Sequence, residues 1–83
     1  MKVYDRLKNG FISNNSYYIS FSDNSIYILN YKDIDLVNDT KLKISFSNFS
    51  IEVIGINLTI KRKNKHEIEL SGQISKMEIV NEI

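Results

Sequence analysis

The stretch Phe49-Ser50-Ile51-Glu52-Val53-Ile54-Gly55-Ile56-Asn57-Leu58-Thr59-Ile60 decides how this chain folds. Up to Val53 the apolar side chains alternate at odd positions (49, 51, 53), with Ser50 and Glu52 between them. Beyond Gly55 the apolar side chains stand at even positions: Ile56, Leu58 and Ile60. A period of two marks a strand with one buried face. Such a strand changes parity only through an extra residue, a bulge or a turn. Gly55 is where the backbone can do this at least strain. A second change comes later, because Ile68, Leu70 and Ile74 are even while Met77 and Ile79 are odd. It is expected just after Gly72. Gly55 and Gly72 are therefore structural turn or bulge positions.

Working outward, the same period runs through most of the chain. Tyr17, Ile19 and Phe21 alternate with polar neighbours until Ser22-Asp23-Asn24-Ser25, which carries turn chemistry. Ile26 and Ile28 form the next strand, and Asn30-Tyr31-Lys32 bends the chain into Ile34 and Leu36. Asn38-Asp39-Thr40 is a further turn before Leu42, Ile44 and Phe46. Ser47-Asn48 is a two-residue break suited to a tight hairpin. Lys61 to Lys65 contains a polar turn. Turn signals at roughly 8–10-residue spacing predict a small antiparallel all-β domain. The expected form is a sandwich or roll of about seven or eight short strands over residues 17–80, in one domain spanning 1–83. A short β-solenoid is the alternative, but no fixed-length repeat stands out. At the N-terminus Val3, Tyr4 and Leu7 share a helical face, which predicts a short helix over 3–8 stopped by Asn9-Gly10. Ser13 to Ser16 reads as a loop, so residues 1–16 form a helix-and-loop segment ahead of the β core.

Composition bounds the chemistry. The 83 residues contain no Cys, no Pro and one His, and the formal net charge is +1. Disulfides, thiolate nucleophiles and cysteine metal sites are excluded. The chain also lacks Ala, the best helix former, and is rich in Ile. An AT-rich genome raises Ile, Asn, Lys and Tyr together, so placement rather than totals carries the fold. The longest apolar run is four residues, Ile26 to Leu29, against the roughly 20 that a membrane helix needs. The first eight residues lack the apolar core of a signal peptide, which makes the cytoplasm the expected compartment.

Motifs that carry chemistry are few. Lys61-Arg62-Lys63-Asn64-Lys65-His66 is the only charge cluster. Lys61, Arg62, Lys63 and Lys65 are candidate anion contacts for nucleic acid or lipid phosphate. The simpler reading is a solvated hairpin turn whose lysines discourage edge pairing. No Phe or Tyr comes after residue 49 to supply stacking beside the cluster. His66 has no His or Cys companion, and a surface or strand-start position explains it. Asp33, Asp35 and Asp39 lack the Gly and closing Glu of a calcium loop. Four Asn-x-Ser/Thr tripeptides, at Asn14, Asn38, Asn48 and Asn57, are what chance gives in an Asn- and Ser-rich chain. With one imidazole as the only base of its kind, no Ser is a credible activated nucleophile. The reading is a binding module, not an enzyme, with no cofactor or metal. Five tyrosines fall within the first 31 residues. Tyr17 and Tyr18 must face opposite sides of a strand, and Tyr17, Tyr18, Tyr31 and Lys32 are the candidate interaction residues.

Three segments carry a family resemblance: Ile28-Leu29-Asn30-Tyr31-Lys32, then Ile51 to Ile60, then Glu67-Ile68-Glu69-Leu70-Ser71-Gly72-Gln73-Ile74-Ser75-Lys76-Met77-Glu78. In order and spacing, Ile26 to Ile79 resembles the YabP/YqfC family of small sporulation proteins of spore-forming Firmicutes. At Phe46-Ser47-Asn48, where many relatives have a Gly turn, this chain has none. The family is not known for catalysis. The resemblance implies a late developmental role in the mother cell, exerted through a membrane-protein partner. It gives Gly55 and Gly72 the role of backbone switches, and Asn57 that of settling the turn or bulge after Gly55. The expected mechanism is docking of a strand edge or aromatic face onto a partner or a second copy. The rival function is a small OB-like nucleic-acid-binding domain using the basic turn 61–66.

Overall fold

A computed structural model describes residues 2–5, 10–13 and 16–81. Eight antiparallel strands run through them: β1 (Lys2–Asp5), β2 (Gly10–Ser13), β3 (Tyr18–Phe21), β4 (Ser25–Leu29), β5 (Asp33–Asn38), β6 (Lys41–Ser45), β7 (Phe49–Lys63) and β8 (Glu67–Asn81). They form one sheet in the order β2-β3-β4-β8-β7-β6-β5, with β1 paired to β8. The all-antiparallel ladder excludes the β-solenoid alternative. Most strands are short, but β7 and β8 have 15 residues each.

These two long strands make the fold. Glu67 to Ser71 of β8 pair with β4, whereas Lys76 to Ile79 pair with β1. On β7, Ser50 to Ile54 pair with β6. The sheet therefore bends across the middle of β7 and β8 and rolls over on itself into two layers. One layer contributes Ile19, Ile26, Ile28, Ile68 and Leu70 to the interior; the other contributes Leu42, Ile44, Ile51, Val53 and Met77. All ten are 0–1% exposed. Full burial of a side chain of this size stabilises by about 1.5–3 kcal/mol, so the period of two in each strand is directly the core.

The register between β7 and β8 shows how the bend is made. Ile54 lies opposite Lys76 but Gly55 opposite Ile74, which leaves Ser75 as an extra residue on β8. Its hydroxyl donates to the Ile54 carbonyl at 3.0 Å. Ile56 lies opposite Gln73 but Thr59 opposite Ser71, so β7 gains a residue at Asn57–Leu58. A third shift falls at Lys61, between Ile60 and Arg62. Each bulge flips the parity of the residues beyond it.

Several expectations are corrected by this geometry. The parity switch after Val53 is present, but Asn57 takes the left-handed backbone angle (φ 56°) and Gly55 does not. Gly55 serves by closeness: a Cβ there would lie 2.1 Å from the Gln73 carbonyl oxygen. Ile56, expected inside, is 56% exposed, because the bulge carries parity across to Leu58. The second switch belongs to Ser75. Gly72, at φ +143°, faces the Asn57 bulge, where a Cβ would meet the Asn57 carbonyl oxygen at 2.9 Å.

The N-terminal expectation changes too. Residues 2–5 are strand β1, not helix, because β8 offers them an open ladder edge at residues 76–79. Residues 6–8 of the expected helix, and Asn9 of its stop, lie outside the described residues. Ser13 ends β2 rather than opening a loop, and residues 10–13 extend the sheet beside β3. The segment 1–16 thus supplies two strands to the β core. The remaining turns fall as read: the Ser22 amide donates to the Ser25 carbonyl (2.9 Å) and the Phe46 amide to the Phe49 carbonyl (2.8 Å).

Candidate functional site

Four connections meet at the end of the fold away from the bends: Ser16–Tyr17, Asn30–Lys32, Phe46–Asn48 and Asn64–His66. Their convergence has its origin in local chemistry. Asn30 accepts a left-handed angle (φ 64°), as Asn does more readily than most residues. This turns the chain from β4 in one layer toward β5 in the other. The Asn30 amide donates to the His66 carbonyl (2.6 Å) and the Lys32 amide to the Ser45 carbonyl (2.8 Å), tying both layers to the crossing. The basic turn is closed by Asn64, whose side-chain oxygen accepts the His66 and Glu67 amides at 3.0 and 2.9 Å. This is an Asx turn. The Tyr31 hydroxyl then donates to the Asn64 carbonyl at 2.6 Å and pins that turn against the crossing.

Between these connections lies an open groove of about 550 Å³, lined by Ser16, Tyr17, Asn30, Tyr31, Lys32, Phe46, Ser47, Lys65 and His66. Its floor is aromatic. Phe46 and Phe49 stack at 4.6 Å with their planes 3° apart, and Tyr17 tilts against both at 5.3 and 5.0 Å. Lys32, Lys65 and His66 are exposed at its rim. No carboxylate among the described residues lines it. The acids next to it in sequence are engaged elsewhere: Asp33 accepts the Ile34 amide at 2.9 Å, and Glu67 belongs to the outer face of the sheet.

The sequence candidates divide between this groove and the rest of the surface. Tyr17, Tyr31 and Lys32 come together in the groove, joined by Lys65. Tyr18 does not join them. As strand alternation requires, it faces outward, stacked on Phe11 at 6.1 Å and edge-on to Tyr27 at 6.4 Å. Phe11 is 67% exposed. Arg62 is held by Glu69 at 3.2 Å and Glu67 at 3.8 Å, while Lys61 and Lys63 lie on β7 outside the groove. The basic run is therefore not one patch. Gly55, Asn57 and Gly72 lie at the far end, in the bend.

On the outer face the Tyr27 hydroxyl makes a short hydrogen bond to the Glu67 carboxylate. That bond holds the Glu67 carboxyl below its ordinary range, with help from Asn64 and Arg62. It also raises the Tyr27 hydroxyl. Sequence reading passed over Phe46, Ser16 and Ser47 as groove residues, and Phe11 and Tyr27 as outer-face rings. Burial and pairing across distant strands decide those roles, and no local pattern signals them. Among the described residues no three His, Asp or Glu side chains gather as a metal site. No helix among them is long and apolar enough to cross a membrane.

Comparison with protein-family models, with curated proteins and with solved structures returns no match.

Proposed function

We propose that this chain is a non-enzymatic interaction module of the sporulation type, acting by protein–protein contact with a membrane-protein partner from the cytoplasm of the mother cell. The sequence resemblance supplies the biological setting. The observation that carries the contact reading is the convergence of Tyr17, Tyr31 and Lys32 in one open groove. Rings with polar tips are among the side chains enriched where proteins meet, and Lys32 stands beside them on the groove. The non-enzymatic part rests on the sequence, which has one His and no Cys to build an activated nucleophile.

The test is affinity capture of the tagged protein from sporulating cells of the source organism with membranes solubilised. The wild-type chain is compared with the Tyr31→Ser/Lys32→Glu variant. A membrane protein retained by the former and lost by the latter is the expected result. Recovery of nothing, together with oligonucleotide binding that falls steeply from low to moderate salt, would replace this reading with the nucleic-acid one.

A further inference from the structure

Several cations among the described residues are already paired with carboxylates. Lys41, Arg62 and Lys76 each sit within 4 Å of a carboxylate, on Glu52, on Glu67 and Glu69, and on Glu78 respectively. Lys32, Lys61, Lys63 and Lys65 have no ion-pair partner among the described residues; Lys61 and Lys63 lie on β7, whereas Lys32 and Lys65 stand on the groove. They come from different connections, and the backbone hydrogen bond from Asn30 to His66 and the Tyr31–Asn64 bond hold those connections side by side. Among the described residues the groove thus offers two uncompensated charges beside the rings of Tyr17, Tyr31 and Phe46.

We infer that this groove docks an acidic segment of a protein partner, one in which carboxylates flank an apolar side chain. The inference rests on the contact reading above and names the partner's chemistry. Lys32 and Lys65 meet the carboxylates, and the apolar side chain seats against Tyr17 and Tyr31. Both parts are needed. Exposed ion pairs contribute little by themselves, so charge selects the partner and ring contact supplies most of the affinity.

A nucleic-acid strand fits the same groove less well. Bases need open ring faces to stack on. Here Phe46 and Phe49 use their faces on each other and Tyr17 covers both, with Phe46 and Phe49 buried. The guanidinium of the basic run, on Arg62, is committed to two carboxylates.

The experiment uses the whole chain and three fluorescent probes in anisotropy titrations. The first is a capped peptide of Glu and Leu around a central Phe; the second replaces each Glu by Lys; the third is an oligothymidylate of equal length. Saturable binding is expected for the acidic peptide alone, weakening as salt rises. Lys32→Glu with Lys65→Glu should weaken it about tenfold or more, with the circular dichroism spectrum unchanged. Lys61→Glu with Lys63→Glu carries the same charge change outside the groove and should weaken it by less than about threefold. No saturable binding, equal weakening by both double variants, or tighter binding of the oligonucleotide would overturn the inference. The capture experiment separates the two levels. Partner retention lost in the Lys32→Glu/Lys65→Glu chain supports the inference. A captured partner with no peptide binding overturns the acidic-segment inference alone, and failure of both removes the contact reading as well.

Discussion

At one end of the rolled sheet the backbone leaves no space. Gly55 lies where a Cβ would be 2.1 Å from the Gln73 carbonyl, Gly72 faces the Asn57 bulge, and two hairpin turns are bonded onto the bend. The Gly55 and Leu58 amides donate to Thr40 and Asp39, and the Gly72 and Ile74 amides to Asn24 and Asp23, at 2.8–3.3 Å. At the other end, four connections stand around a groove of about 550 Å³, and no carboxylate among the described residues lines it. The first end over-determines its backbone, with Ile56 as its one exposed large apolar side chain among the described residues. The second leaves Lys32 and Lys65 without an ion-pair partner among the described residues, over an aromatic floor that is itself firmly packed. The contrast teaches that the bend sets the fold, and the loops are free to serve contact because the bend does not depend on them.

The sharpest way to break this contrast is to put a side chain into the bend. Gly55→Val should cost about 3 kcal/mol or more, since the clash is with backbone that cannot turn aside. Urea unfolding checks it, and a loss under about 1 kcal/mol would show that the bend yields. Gly72→Ala comes next, at about 1–3 kcal/mol, because φ +143° is strained for an L side chain and the Asn57 carbonyl is close.

A smaller effect is expected on the outer face. The hydrogen bond from Tyr27 depresses the Glu67 carboxyl in the folded state. A depressed folded pKa adds stability above the ordinary value of 4.5, and that stability is lost as pH falls through the lower folded value. Tyr27→Phe should therefore raise the Glu67 titration toward 4.5 and flatten the acid limb of the stability curve, as read by carboxyl-carbon NMR. An unmoved titration would mean that Asn64 and Arg62 hold the carboxylate by themselves. The smallest effect belongs to the groove rim. Lys32→Glu and Lys65→Glu should each change stability by under about 0.5 kcal/mol. A large loss in either would erase the distinction between the two ends.

Much of the bend was legible in the sequence and little of the groove was. Alternation at 49, 51 and 53, the changed parity beyond Gly55 and the turn residues at 22–25 and 47–48 are local signals, and each appears as read. The exposure of Ile56 was not legible, because a bulge can fall on either side of a glycine and register with β8 decides which. Nor was the strand at 2–5, whose conformation is set by an edge more than 70 residues away. Tyr17, Tyr31 and Lys32 could be singled out by residue type. Their meeting with Lys65 depends on the Asn30 crossing and the Asn64 turn, which bring four separate connections to one place. In the basic run, likewise, adjacency in sequence hides that Arg62 is paired with Glu69 on the neighbouring strand.

The most direct test of the division between the two ends is a map of amide chemical-shift changes as the acidic peptide is added to the labelled protein. The changes should cluster at 16–17, 30–32, 46–47 and 65–66, with 55–58 and 72–75 unmoved. Changes centred on Phe11 and Tyr18, on the bend, or nowhere would contradict it.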